Sequence, residues 1–272
     1  MPPLGPERQP ETHRGEEEDM ARGPLRTVGR DVCFCHWPID PDVLRSQVPD
    51  ALSVDTFDRR AWISALAIRD VRATARGVPA ERSGPQLVVR TYVSYGDDRG
   101  VFFLDIHTND RLGRAVGERL LGLPISRTRI DAERRRNAFS FRSRRRGFAR
   151  SVSPTRFRVR YRPTGPNFQP ESGSLEAFLT DRSQFFVRSD RRSGDRRSEK
   201  RQSEDSGLRV GEISRTDWQL RDVNATVEAG GLFKQIGLDA PSAEPHCYYS
   251  EGFRIDTGQP RPIEGSAYRN SV

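Results

Sequence analysis

The segment Arg156-Phe-Arg-Val-Arg-Tyr-Arg162 alternates cationic and apolar residues without a break. A period of two is the signature of a strand, with Phe157, Val159 and Tyr161 on one face and four arginines on the other. Ala138-Phe-Ser-Phe-Arg-Ser-Arg144 reads as its hairpin partner across residues 145–154. Strand-like runs of this kind recur along the chain, at 32–37, 52–57, 61–71, 87–95, 101–108, 127–133, 184–188, 208–213, 225–228 and 252–256. Helical spacing is confined to three short stretches, at 42–48, 110–121 and 174–180.

Asp40 caps the first helix, with Pro41 at its first position. Asn109 or Asp110 caps the second, and Gly122 and Pro124 stop it. Residues 76–85 read as a loop. Neither βαβ alternation nor an internal repeat is present. The expectation is an α+β domain, mainly antiparallel β, whose sheet curls or closes around a cavity.

The 272 residues form one large domain. Residues 1–25 are rich in Pro, Glu and Gly and are expected to be a disordered tail, with Met20 as an alternative start. The domain spans 26–257, interrupted by a disordered charged insertion at 190–207, and 258–272 form a C-terminal tail. No run reaches the length of a membrane span and the N-terminus lacks a signal pattern, so a cytoplasmic location without membrane partners is expected. Three cysteines argue against a disulfide framework. The sequence does not speak to oligomeric state.

The net charge of +8 is unevenly spread. Residues 134–162 hold twelve arginines and no acid, whereas residues 1–20 hold six acids and two arginines. The arginine run suits a solvated outer sheet face whose long stems cover apolar surface. It also suits an electrostatic footprint for nucleic acid or another anionic partner. Nucleic acid is the less favoured, because the aromatic residues fall on the opposite parity and no nucleic-acid-binding motif is present.

Cys33-x-Cys35-His36, with His246-Cys247, suggests a metal site. The spacing is not the usual Cys-x2-Cys, and Cys33 and Cys35 share a strand face. Burial is the simpler expectation, with no metal and no cofactor. No Gly-x-Ser-x-Gly, dinucleotide or phosphate-loop pattern occurs. His107 stands in an otherwise apolar strand beside Asp105. Arg90 interrupts the strand before it and shares a face with Tyr92. Whether Arg90 and His107 face the same way depends on a hairpin register that the turn at 96–100 leaves open.

Longer strings carry a resemblance. They are His36-Trp-Pro-Ile-Asp-Pro-Asp-Val-Leu-Arg45, Leu52-Ser-Val-Asp-Thr-Phe-Asp-Arg-Arg-Ala-Trp62, Arg119-Leu-Leu-Gly-Leu-Pro124, Tyr161-Arg-Pro-Thr-Gly-Pro166, Gly173-Ser-Leu-Glu-Ala-Phe-Leu-Thr180 and Glu244-Pro-His-Cys-Tyr-Tyr-Ser250. In this order they resemble the YqjF-like family (domain of unknown function 2071), which is similar in fold to acetoacetate decarboxylase. The resemblance implies a curved sheet closing into a cone-like barrel around a small-molecule pocket.

Decarboxylase chemistry is not implied. The amine needed for a Schiff base would fall at Ile125 or Ser126, and neither can form an imine. The only lysines, Lys200 and Lys234, lie elsewhere. The chain also departs from the family at Ile125, Ser126, Ser183, Gln86 and Ser214-Arg-Thr-Asp-Trp218, so it reads as a divergent member. The expected pocket comprises Arg90, Tyr92, His107, Glu212 and Trp218. Arg90 would clamp an organic acid, His107 or Glu212 would serve any proton transfer, and Tyr92 and Trp218 would form walls.

Overall fold

The computed structural model describes residues 23–77, 82–145, 155–188 and 207–263. The expectations for the first 22 residues, for 146–154 and for nearly all of the charged insertion lie outside these. The first half of the chain forms β1 (Leu25–Ile39), α1 (Pro41–Arg45), β2 (Ser53–Val54), β3 (Ala61–Ala75), β4 (Arg82–Tyr95), β5 (Asp98–Thr108), α2 (Arg111–Leu121) and β6 (Ile125–Arg127). There follow β7 (Arg129–Arg135), β8 (Ala138–Arg145), β9 (Thr155–Pro163), α3 (Leu175–Thr180) and β10 (Gln184–Arg188). The chain ends with β11 (Leu208–Arg215), β12 (Arg221–Glu228), α4 (Gly230–Gln235), β13 (His246–Thr257) and β14 (Arg261–Pro262).

Seven strands close on themselves in the order β11-β10-β5-β4-β3-β1-β13, and pairing of Ile213–Arg215 with Ile255–Thr257 completes the circuit. The pairing is mainly antiparallel; β10 and β6 each run parallel to β5. β12 leaves this ring beside β13 and pairs along the rest of its length with β9, which begins the sheet β12-β9-β8-β7. That sheet folds back over the outside of the ring. Phe139, Phe141, Phe157, Val159 and Tyr161 pack there against Cys33, Cys35, Ala65, Ala67, Leu87 and Val89. The expected inward parity of β9 is therefore correct, and so is its β8 partner. The strands β1 and β3 are buried on both faces, which explains apolar runs such as Ala61–Ile68 where a one-sided strand would alternate.

Helix boundaries follow the capping chemistry. Asp40 and Asp110 each accept from the backbone N–H two residues on, Ser174 accepts from Ala177 N–H, and Gly122 ends α2 in the left-handed region at φ 68°.

Four expectations need correction. Residues 52–57 do not form a hairpin with β3: Phe57 and Arg60 make one local bridge, and Ser53–Val54 pairs with Val93–Ser94 of β4. The reason is that β3 already has β1 and β4 on its two edges. Part of the expected loop at 76–85 is strand, because Arg82–Gly84 extends β4 along β3. The expected tail after 257 contains β14, paired with Arg209–Val210. Residues 230–235 form α4, which the apolar spacing did not indicate; Leu232 and Phe233 bury it against the outer core.

Inward parity switches along the ring. On β1 the inward residues are Leu25 and Thr27, then Val32, Phe34 and His36; the change falls at Asp31, which takes φ 54°. On β3 they are Leu66 and Ile68, then Val71, Ala73 and Ala75. On β5 the pairs Arg90↔Phe103 and Val89↔Asp105 leave Leu104 as a bulge, so Phe103 and Ile106 both face inward. Such irregularities bend a sheet enough to close it.

Candidate functional site

Closure of the ring leaves an internal cavity of about 190 Å³. Its walls are mostly aliphatic and aromatic: Leu66, Ile68, Val88, Phe103, Phe185 and Trp218 are typical. One side is roofed by α2, through Gly113, Val116, Gly117 and Leu121. At Gly117 α2 packs directly on the end of the Ile125 side chain, which would have to shift to admit a Cβ. Ile125 lines the cavity, while Ser126 accepts a hydrogen bond from Arg145. No lysine is among the described residues that line the cavity, and Lys234 is exposed on α4.

Arg90 is the only arginine among the described residues of the cavity wall and is 8 % exposed. It donates from Nη2 to the Leu179 carbonyl oxygen at 3.0 Å, and its Nε has no hydrogen-bond partner. Its guanidinium carbon lies 5.8 Å from the Tyr92 ring centre. Two nearby arginines show the contrast. Arg182 pairs with Asp55 at 2.7 Å, and Arg215 with Asp181 at 2.6 Å. Arg90 makes no ion pair among the described residues, so a buried cation faces an apolar chamber without a counter-ion.

A polar belt crosses the ring at the level of Arg90. The register His246↔His36↔Ser64↔Arg90 places these residues in one cross-strand row. His36 Nδ1 lies 2.6 Å from Ser64 Oγ, and Ser64 Oγ lies 2.5 Å from the Tyr92 hydroxyl. Tyr92 donates to the Leu179 carbonyl at 2.7 Å. His36 Nε2 and Trp62 Nε1 are buried without partners. Burial, followed by the positive Arg90 and by His246, lowers the His36 pKa well below its ordinary value.

Of the five residues expected in the pocket, three come together. Arg90 and Trp218 line the cavity, Trp218 donating from Nε1 to the Thr180 carbonyl at 3.2 Å. Tyr92 lies beside Arg90 on the inward face, as the shared parity required. His107 does not join them. It pairs with Leu87 on the outward face of the ring, where Nδ1 meets Ser143 Oγ of β8 at 2.9 Å and Nε2 meets Asp105 at 3.1 Å. This Ser-His-Asp contact is buried between the layers and does not border the cavity. Glu212 lies outside as well: Gly211 is buried beside it, whereas Glu212 is exposed and pairs with Arg261 at 3.5 Å.

In the sequence His36 stands in the Cys-x-Cys-His string and at the head of a family string, and Ser64 carries no motif. The usable signal was parity. His36 shares a face with Phe34 and opposes Cys33 and Cys35, and Ser64 is the one hydroxyl inside Ala61–Ile68. Cys33 and Cys35 are fully buried in the outer core, and burial raises the Cys33 thiol pKa. No group of three or more potential metal ligands occurs among the described residues.

The outer face of the second sheet carries the arginine run. Register places Arg129, Arg144 and Arg156 in one row across β7, β8 and β9, all exposed. Asp131 pairs with the first two, at 3.6 Å and 3.4 Å. No helix among the described residues is long and apolar enough to cross a membrane.

Comparison with known proteins places the site in context. Residues 28–254 match the model of DUF2071, an uncharacterized conserved protein family. The uncharacterized protein YqjF of Bacillus subtilis is 26 % identical over 230 residues, covering 84 % of this chain and 87 % of its own. Among solved structures, an acetoacetate decarboxylase-like enzyme from Sphingomonas wittichii is similar with TM-score 0.56 and 17 % identity, covering 90 % of this chain and 95 % of that one. Acetoacetate decarboxylase from Legionella pneumophila gives TM-score 0.60 and 10 % identity, covering 89 % and 88 %. The enduracididine biosynthesis enzyme MppR, in complex with pyruvate, gives 0.61 and 11 %, covering 90 % and 92 %. At these identities the likeness establishes an acetoacetate decarboxylase-like fold.

Proposed function

The chain belongs to the DUF2071 family, and from that premise we propose that it binds a small organic acid inside the strand ring, with the carboxylate against Arg90. The observation that carries this reading is the buried Arg90 guanidinium, without a counter-ion among the described residues, at the wall of an apolar cavity. Leaving a charge unpaired in such surroundings is costly, and a bound carboxylate would pair with it through charge-assisted hydrogen bonds. MppR, which shares the fold, is described in complex with pyruvate. Trp218 and the aliphatic walls would hold the apolar body of the acid. The reading is one of binding without a Schiff base, and the lack of a lysine among the described residues that line the cavity supports it.

Replacing Arg90 tests the proposal. Arg90→Met keeps the length of the stem and removes the charge. Carboxylic acids should raise the melting temperature of the wild type by mass action and leave that of the variant unchanged. Equal shifts in both would remove Arg90 from the site.

A second reading is favoured by the row Arg129-Arg144-Arg156. Like charges directly opposite one another on neighbouring strands destabilise a sheet, and an anionic partner would offset that cost. Binding of a short DNA duplex that weakens steeply with salt would support this use of the arginine face. Absence of such binding at low salt would end it.

A further inference from the structure

The strand register gives the cavity a length and a direction. Arg90 lies opposite Ser64 at one end. The next inward level on β4 is Val88, between Leu66 of β3 and Ile106 of β5. Gln86 follows, between Ile68 and Thr108, and then Gly84 opposite Val71. Six residues separate Arg90 from Gly84 on β4, about 20 Å at the usual strand rise. A volume of about 190 Å³ drawn out along these levels is narrow.

The two ends differ in charge and in exposure. Arg90 is the only cation, and Asp110 the only acid, among the described residues of the lining. Asp110 caps α2 two residues beyond Thr108, so it stands at the Gln86–Gly84 end. There Ser83 is exposed and Asp110 half-buried, whereas Arg90, Val88 and Leu66 are buried. Of the Arg90 nitrogens, Nη2 is taken by the Leu179 carbonyl and Nε is buried, which leaves Nη1 as the group a ligand can meet. A carboxylate is attracted to Arg90 and repelled by Asp110. Its tail must then run past Val88 and Ile106 towards Gln86.

We infer that the ligand class of this site is the unbranched, medium-chain aliphatic carboxylates, bound head-inward on Arg90 with the alkyl chain along the Val88 and Gln86 levels. A short acid would leave the apolar levels beyond Val88 unfilled, and a branched one would not fit their width. This inference rests on the reading of Arg90 as the carboxylate anchor.

The experiment is calorimetric titration of the wild type and of Gln86→Phe with butyrate, hexanoate, octanoate and 2-ethylhexanoate. The wild type should gain about fourfold in affinity for each methylene from butyrate to octanoate, the increment for burying one such group. It should bind 2-ethylhexanoate, which has the carbon count and charge of octanoate, at least about tenfold more weakly, a difference that unspecific partitioning into apolar surface would not produce. Gln86→Phe places a ring across the path of the tail and should weaken octanoate at least about tenfold more than butyrate. Equal binding of the three straight-chain acids by the wild type overturns the inference and leaves the Arg90 reading standing. Equal binding of octanoate and its branched isomer also overturns it, as does an undiminished gain with chain length in Gln86→Phe. If the wild type binds none of the acids, both readings fall together. The wild-type series decides the matter even if the variant does not fold.

Discussion

The Asp31 carboxylate accepts from Arg69 Nε at 2.6 Å, across the level where β1 and β3 both change the face they turn inward. Asp31 is 4 % exposed and also accepts from the Tyr249 hydroxyl at 2.7 Å. Its φ of 54° is one that Asp and Asn tolerate better than most residues. Together with Tyr249, the pair thus links three adjacent strands, β3, β1 and β13, at the bend of the ring.

Asp31→Ala should therefore cost about 2–4 kcal/mol, since it strands Arg69 and Tyr249 and puts alanine in a left-handed conformation. Asp31→Asn, which keeps the backbone preference and one acceptor, should cost less. Urea denaturation of the two variants measures both values. Equal losses would mean that the left-handed backbone contributes nothing.

Stability should fall with pH in a window set by His36. Its pKa is lowered in the folded chain, whereas the unfolded chain has the ordinary value of about 6.5. Below that pH the unfolded state binds a proton that the folded state does not. The contribution of His36 is thus fully present above about pH 6.5 and is lost on acidification, at up to about 1.4 kcal/mol per pH unit. Denaturation of the wild type and His36→Asn between pH 7 and about pH 5, above the usual carboxylate range, isolates the effect by difference. Parallel curves for the two proteins would contradict it.

Ser143→Ala should destabilise the protein by about 1–3 kcal/mol and leave acid binding unchanged. The serine is the partner of buried His107 Nδ1, and both lie between the layers, away from the cavity. Calorimetry on the variant separates the two effects. A loss of affinity without a loss of stability would return His107 to the site.

Arg144→Glu should raise stability by about 0.5–1 kcal/mol, because it places a carboxylate between Arg129 and Arg156 in their cross-strand row. The melting temperature of the variant at low and high salt is the measurement. The gain should shrink as salt is added. A drop at low salt would mean that the lost pairing with Asp131 dominates.

Much of this molecule was legible before its structure. The alternation of β9 named its buried face, Asp40 marked one helix start and Asn109 or Asp110 another, and Gly122 marked a helix end. Each is a local preference that a few consecutive residues express by themselves. The shared parity of Arg90 and Tyr92 was legible for the same reason. The strings from His36 to Ser250 pointed to the family and hence to a closed ring.

Register was not legible, because it is set by contacts far apart in the chain. A single bulge at Leu104 decides that His107 turns away from Arg90, and no pattern within β5 announces it. Glu212 was misplaced because the position of Gly211 on the inner wall follows only from its pairing with Phe185. The row that joins His36, Ser64 and Arg90 draws on three strands, and nothing within any one of them fixes that pairing. The sequence by itself determined which segments become strands and which faces are apolar, since side-chain periodicity is local. Only the tertiary structure decided which polar residues meet inside the ring, since that depends on pairing between distant strands and on the bends that close them.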